Sequence, residues 1–136
     1  MVKDWSKYQN FSEEEFACKC GCGQVNVSEF LIQKLQICSD YTKQATGKRI
    51  PIIIESGCRC LHHNHEIGGS ISSSHIADDK VECTAADIKI ANSTQRFWIL
   101  RGLFVAGFLR IGIYNDHNGI HADVDSTKDE CVMWKK

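Results

Sequence analysis

An aspartate stands inside an alternating run, Ala85-Ala86-Asp87-Ile88-Lys89-Ile90, that reads as a β-strand. A carboxylate in such a place is costly to bury unless it is paired or bound to a cation. The chain therefore has to bring positive or metal-ligating partners to residue 87. Candidates lie elsewhere in the sequence. His121 and Asp123 stand two apart in Ile120-His121-Ala122-Asp123-Val124, a second strand pattern, so both side chains project from one face. His75 closes the loop Ser72-Ser73-Ser74-His75 ahead of the strand that carries Asp87. Two imidazoles and one carboxylate form a three-ligand set with a fourth position open, the pattern of catalytic rather than structural zinc. Zinc held in that way acidifies a bound water and polarises a carbonyl. Spacing alone leaves the bland reading open, since a lone histidine on a strand is more often a hydrogen-bonded core or surface residue.

The rest of the chain suits one domain spanning residues 1–136. It has 43% apolar and 24% charged residues, the balance of an ordinary globule with one core. The formal net charge of −1 offers no electrostatic footprint for nucleic acid or an anionic membrane. The longest apolar stretch, Phe97 to Leu109, is broken by Arg101 and is too short to span a bilayer, so no membrane insertion is expected. The polar start Met-Val-Lys-Asp-Trp-Ser has no hydrophobic signal core.

Ser12 and Glu15 have capping-box spacing and predict a short helix. Cys18-Lys19-Cys20-Gly21-Cys22-Gly23 fits neither period and reads as irregular. Ser28 reads as an N-cap for an apolar stripe of Leu31, Leu35 and Cys38 that ends near Gly47. Arg49–Glu55 is a β-branched run with Pro51 at its edge. A polar stretch from Cys58 to Glu82 reads as loop. Asn92 and Gln95 open a helix over Phe97–Leu109, and Ile111–Tyr114 and Ile120–Val124 form a hairpin around Asn115–Gly119. This order predicts an α+β fold with a small antiparallel sheet flanked by helices.

An ordered series of motifs resembles the zinc D-alanyl-D-alanine peptidases, most closely their small single-domain branch with phage-encoded members. The series is Phe16-Ala17-Cys18-Lys19-Cys20-Gly21-Cys22-Gly23, Ile54-Glu55-Ser56-Gly57-Cys58-Arg59-Cys60, His63-Asn64 with Gly68-Gly69, Ser73-Ser74-His75, Ala85-Ala86-Asp87-Ile88, Ile111-Gly112-Ile113-Tyr114 and Ile120-His121-Ala122-Asp123, with Trp134 beyond. The resemblance runs from about Phe11 to Trp134. It implies the fold of that family and hydrolysis of amide bonds in peptidoglycan stem peptides. By position, His75, Asp87 and His121 would hold Zn2+. Arg59, from the Ser-Gly-x-Arg motif, would stabilise the transition state and touch substrate, and Ser73 would contact substrate. A fixed guanidinium beside the metal suits charge that appears only on the attacked carbonyl oxygen.

The sequence departs from the family pattern in two places. Eleven residues, Ile76–Ala86, separate His75 from Asp87, because Asp78–Glu82 reads as a five-residue insertion. A loop absorbs such an insertion at small entropic cost, so Asp87 is preferred as ligand over Asp79 or Glu82. Asn118 stands where relatives carry an acidic general base. Asp123 is the expected replacement, with Asp116 and His117 as rivals; orienting a ligand histidine is the other role open to Asp123.

His62, His63 and His65 with Asn64 do not make a nuclease motif on so neutral a chain; His63-Asn64 is expected to shape the loop beside Arg59. Eight cysteines without an export signal shift the expectation from disulfides toward thiols or metal ligands. Cys18, Cys20, Cys22, Cys58 and Cys60 form two clusters, open either to disulfides or to a structural zinc. The expected protein is a monomeric zinc peptidase acting on a peptidoglycan peptide. By analogy it would be phage- or virion-associated or released by lysis, otherwise cytoplasmic. The alternative from another class is an inactive, zinc- or disulfide-stabilised cell-wall-binding module of the same fold.

Overall fold

The computed structural model describes residues 1–136. After a 3-10 turn at Trp5–Lys7 come α1 (Glu13–Phe16), α2 (Glu29–Thr46), β1 (Ile53–Ser56), α3 (Leu61–Glu66), β2 (Ala85–Lys89), α4 (Ser93–Val105), β3 (Arg110–Ile113), β4 (Gly119–Asp123) and β5 (Val132–Lys135). The five strands form one sheet in the order β1-β2-β4-β3-β5. All neighbours are antiparallel except β3 and β5, which run parallel. The fold is α+β, with the sheet slightly larger than the sequence pattern suggests. No helix is long and apolar enough to cross a membrane.

The helix signals work as local chemistry requires. Glu15 and Ser12 form the capping box of α1. Asn92 Oδ1 accepts from the Gln95 amide at 2.8 Å and starts α4. Gly47 ends α2 in the left-handed region, at φ 79°, and its amide donates to the Lys43 carbonyl. The strand expected from Arg49 begins only at Ile53, beyond Pro51, which has no amide to give a ladder. Two elements lack a legible pattern. The helix α3 lies in the stretch read as loop, because five of its six residues are polar and so short a helix has too little periodicity to detect. The strand β5 follows a turn of charged residues and has only alternating burial to mark it.

The sheet has two chemically distinct faces. Ile54, Ala86, Ile88, Ile111, Ile120 and Ala122 join Leu31, Leu35, Ile99 and Leu103 of α2 and α4 in one core. The opposite pleat carries a cross-strand row in which Ser56 pairs with Asp87, Asp87 with His121, His121 with Gly112 and Gly112 with Trp134. Register thus assembles the polar row before any loop contributes. A register irregularity between Ile54 and Ser56 bends β1 beside that row.

Helices α2 and α4 meet where Gly102 passes Cys38. A Cβ at Gly102 would stand 2.6 Å from Cys38 Sγ and 3.0 Å from its carbonyl oxygen. Gly102→Ala is therefore expected to lower stability by about 1–2 kcal/mol, although alanine is the better helix former. Urea denaturation with an unchanged m-value checks this, and a stabilised variant would contradict the close packing.

Candidate functional site

Asp87 is 5% exposed at the centre of β2, and its carboxylate is surrounded by donors. His121, directly across on β4, places Nδ1 3.1 Å from Asp87 Oδ1. His75 arrives from the loop before β2 and places Nε2 3.3 Å from the same oxygen. The two ring nitrogens are themselves 3.3 Å apart. Tyr114 donates its hydroxyl to Asp87 Oδ1 at 2.8 Å, and Arg59 Nη2 lies 3.2 Å from Oδ2. One imidazole nitrogen from each histidine and one carboxylate oxygen therefore converge as a group that could hold a metal ion.

The donor set fits such an ion. Ligand atoms about 2.0–2.1 Å from a tetrahedral zinc stand about 3.3–3.4 Å from one another. The observed edges are 3.1, 3.3 and 3.3 Å. Each imidazole also has its outward nitrogen engaged. His75 Nδ1 lies 2.7 Å from the Gly57 carbonyl oxygen, and His121 Nε2 lies 2.7 Å from Asp123 Oδ2. With those ring N–H groups donating to the two acceptors, His75 Nε2 and His121 Nδ1 keep lone pairs facing the common point.

Electrostatics follow from burial and pairing. Burial by itself would raise the Asp87 carboxyl, but hydrogen bonds from His121 and His75 hold it far below the usual carboxylate range. Burial drives His75 below its ordinary value despite Asp87, favouring the neutral ring that a ligand must be. For His121 burial also acts downward, but the Asp123 and Asp87 carboxylates outweigh it and the net shift is upward.

Backbone pairing holds the loops in place. The Arg59 amide donates to the His75 carbonyl at 2.8 Å, and the Ala77 amide donates to the Arg59 carbonyl at 2.9 Å. This short parallel bridge couples the two loops that deliver His75 and Arg59. Asn64, buried on α3, accepts from Arg59 Nη1 and donates to the Ser70 carbonyl. Ser56 Oγ accepts from Arg59 Nε at 3.2 Å. The guanidinium is thus held from three sides. Its cleft, about 250 Å³ in volume, is also lined by Ser73, His121, Lys128 and Trp134. Ser73 Oγ accepts from the His75 amide at 3.3 Å, so that hydroxyl also turns the chain toward the ligand.

Asp123 does not present a free oxygen to the ligand cluster. Oδ2 faces His121 Nε2, while Oδ1 accepts from Arg110 Nε at 2.7 Å and from the Asp125 amide at 3.1 Å. Both of its oxygens are thus engaged, one of them by His121. Asp79 and Glu82 lie away from the cluster. The insertion closes on itself through Asp78 Oδ1, which accepts from the Lys80 and Val81 amides, and Glu82 pairs with the amino group of Met1. Asp116 is exposed and His117 pairs with it and stacks on Tyr114. The Asn118 side chain accepts from Arg96. Of His63-Asn64, Asn64 alone reaches Arg59.

Sequence reasoning gave no role to Tyr114, Arg110 or Trp134. Tyr114 and Trp134 belong to the quoted motifs, which was the available signal, but their contacts depend on strand order. Trp134 crosses Gly112, where a Cβ would stand 2.9 Å from its indole, and its ring centroid lies 5.5 Å from that of His121. Arg110 in turn lies over the Trp134 ring at 5.0 Å.

A family model described as Peptidase M15 matches residues 9–123, which include the whole ligand cluster and Arg59. No curated protein matches the chain closely enough to count as a relative.

The loop that delivers His75 is pinned by Asp125, whose Oδ2 accepts from Ser74 Oγ at 2.7 Å. Burial pushes Asp125 up, but hydrogen bonds from Thr127 and Ser74 and the nearby Lys128 outweigh it and lower its pKa to about 2. A depressed carboxyl stabilises the fold above its unfolded value and loses that contribution as pH falls through the folded one. The stability gap between the wild type and Asp125→Asn is expected to be constant above about pH 5 and to close as pH approaches about 2. Urea titrations across that range measure it; a gap that widens toward acid would contradict the assignment.

Proposed function

The chain belongs to the peptidase M15 family, and from that premise we propose that it is a zinc-dependent peptidase that hydrolyses an amide bond in peptidoglycan stem peptides. The observation that carries this reading is the triangle of His75, Asp87 and His121, whose edges of 3.1–3.3 Å suit a tetrahedral ion beside an open cleft. Zinc at that point would supply a Lewis acid and a water acidified for attack, held by His75, Asp87 and His121.

The protein's own groups do the remainder. Gly57 and Asp123 fix the two imidazole tautomers, so the ligand nitrogens need no reorganisation. Arg59, immobilised by Ser56, Asn64 and Asp87, puts a fixed positive charge beside the ligand set, where negative charge develops on the attacked carbonyl oxygen. Lys128 and Lys136 with Ser70 and Ser73 line the same cleft, a wall suited to an anionic, hydrogen-bonding peptide such as a stem peptide with free carboxylates. Ser73 is assigned to substrate contact. Asp123 is assigned to orienting His121, since both of its oxygens are already engaged. The site of action is the cell wall, reached by a monomer that is particle-borne or released by lysis.

A second reading draws on Asn118, which stands where a relative's base would and instead accepts from Arg96. On that reading the fold keeps its metal and binds cell wall without cutting it. Purified protein incubated with peptidoglycan decides between the two. We expect new amino groups to appear, a chelator to stop their release, and added zinc to restore it. Metal uptake with no cleavage of any cell-wall substrate would select the binding module.

The role of Asp123 has its own outcome. Asp123→Asn is expected to raise the free zinc needed for half-maximal activity by about 10–100-fold, with turnover largely recovered at saturating zinc. A variant that stays inactive at saturating zinc would make Asp123 the proton acceptor instead.

A further inference from the structure

A second cluster of potential ligands lies outside the cleft and plays no part in the chemistry above. Cys18, Cys20 and Cys22 follow α1, and Cys60 caps the start of α3. Their four sulfur atoms all lie within 4.8 Å of one another. Cys18 Sγ and Cys20 Sγ are 3.5 Å apart, and Cys20 Sγ and Cys60 Sγ are 3.7 Å apart. Four thiolates bound tetrahedrally at about 2.3 Å from zinc would stand about 3.8 Å from one another. Two of the six edges thus lie close to that length, and the other four are no longer than 4.8 Å.

The backbone around the cluster is arranged for the same purpose. Cys-x-Cys-x-Cys is too tight for an ordinary zinc knuckle, yet Gly21 and Gly23 adopt φ of +84° and +83°, where other residues are strained. Those turns, one after each of Cys20 and Cys22, fold the strand-like alternation back so that three sulfurs reach one side. Backbone amides donate to the sulfurs: Cys60 N to Cys18 Sγ at 3.4 Å, His63 N to Cys60 Sγ at 3.3 Å and Gln24 N to Cys22 Sγ at 3.4 Å. Such donors offset the negative charge that four thiolates would gather around one ion.

We propose that Cys18, Cys20, Cys22 and Cys60 bind a structural zinc ion that staples the N-terminal segment to the loop carrying Arg59. With four protein ligands the site is closed and has no position for substrate. Its consequence for the cleft is positional. Cys60 is the neighbour of Arg59, so the ion fixes one end of the residue whose guanidinium stands beside Asp87. Binding requires that each thiol gives up its proton to solvent as the ion enters; no electron is exchanged and no sulfur–sulfur bond forms.

Cobalt(II) distinguishes this ion from one in the cleft, because the cleft ligands contain no sulfur. Protein prepared anaerobically with a phosphine reductant and loaded with cobalt is expected to show thiolate-to-cobalt charge-transfer absorption in the near ultraviolet, with the strong visible bands of a tetrahedral site. The double variant Cys20→Ser, Cys22→Ser is expected to lose that absorption, and zinc content should fall from two ions per chain to one. His121→Ala is expected to keep the absorption while losing the cleft ion. Absence of the charge-transfer band from the wild-type protein would overturn the proposal, even if the double variant fails to fold. So would a band that survives the double substitution, or mass spectrometry showing Cys18 or Cys60 in a disulfide in the native protein. Failure of peptidoglycan cleavage would leave these sulfur signals unchanged, so the two assignments stand or fall separately.

Discussion

A negative charge in the middle of a sheet governs the architecture of the polar face. Asp87 lies between two strands, with little water to solvate it. Burying an isolated carboxylate would cost several kcal/mol, so the fold has to surround it with donors. His121 comes by register, Tyr114 from just beyond the end of β3, and His75 and Arg59 from loops held by a short parallel bridge. Two of those donors, His75 and His121, together with Asp87 itself form a group that could hold a metal ion. Removing the carboxylate would leave the Arg59 guanidinium without its ion-pair partner and both imidazoles without the acceptor they share.

A graded hierarchy of rigidity supports that point. The two strand ligands belong to a ladder whose other face is the hydrophobic core, so their backbones move only if the core does. The loop ligand, His75, lacks that support and is compensated by hydrogen bonds at its backbone, its ring and the preceding Ser74. Arg59 is held still more explicitly, by three side-chain acceptors and by the cysteine cluster at its shoulder. These contacts leave the Arg59 charge little freedom to reorganise.

Much of this was readable from residue order. Strand signals around Asp87 and His121, the capping pairs at Ser12 and Asn92, and the choice of Asp87 over Asp79 or Glu82 all come from local patterns that tertiary structure did not overrule. Helix α3 and strand β5 were not readable, because six residues are too few for helical periodicity and the four of β5 do not alternate apolar with polar. The function of Asp123 was legible only as a pair of alternatives, because a carboxylate two residues from a histidine on a strand can face either the ring or the substrate. In the structure one of its oxygens faces His121 and the other Arg110, a pairing that spans the β3–β4 ladder.

Sequence alone determined which groups were present and where strands β1 to β4 fall, since burial of an alternating pattern and the cost of a lone carboxylate are local physics. It also determined that the insertion at 78–82 would fall in a loop. Strand order belonged to the tertiary structure: β5 inserting beside β3 in parallel brings Trp134 across Gly112 to His121, a contact between residues distant in the chain. Tertiary structure likewise decided which nitrogen of each histidine faces the common point, because that depends on where the Gly57 carbonyl and the Asp123 carboxylate come to rest. Directional hydrogen bonds between distant segments have no signature in spacing, and the choice of tautomer rests on them.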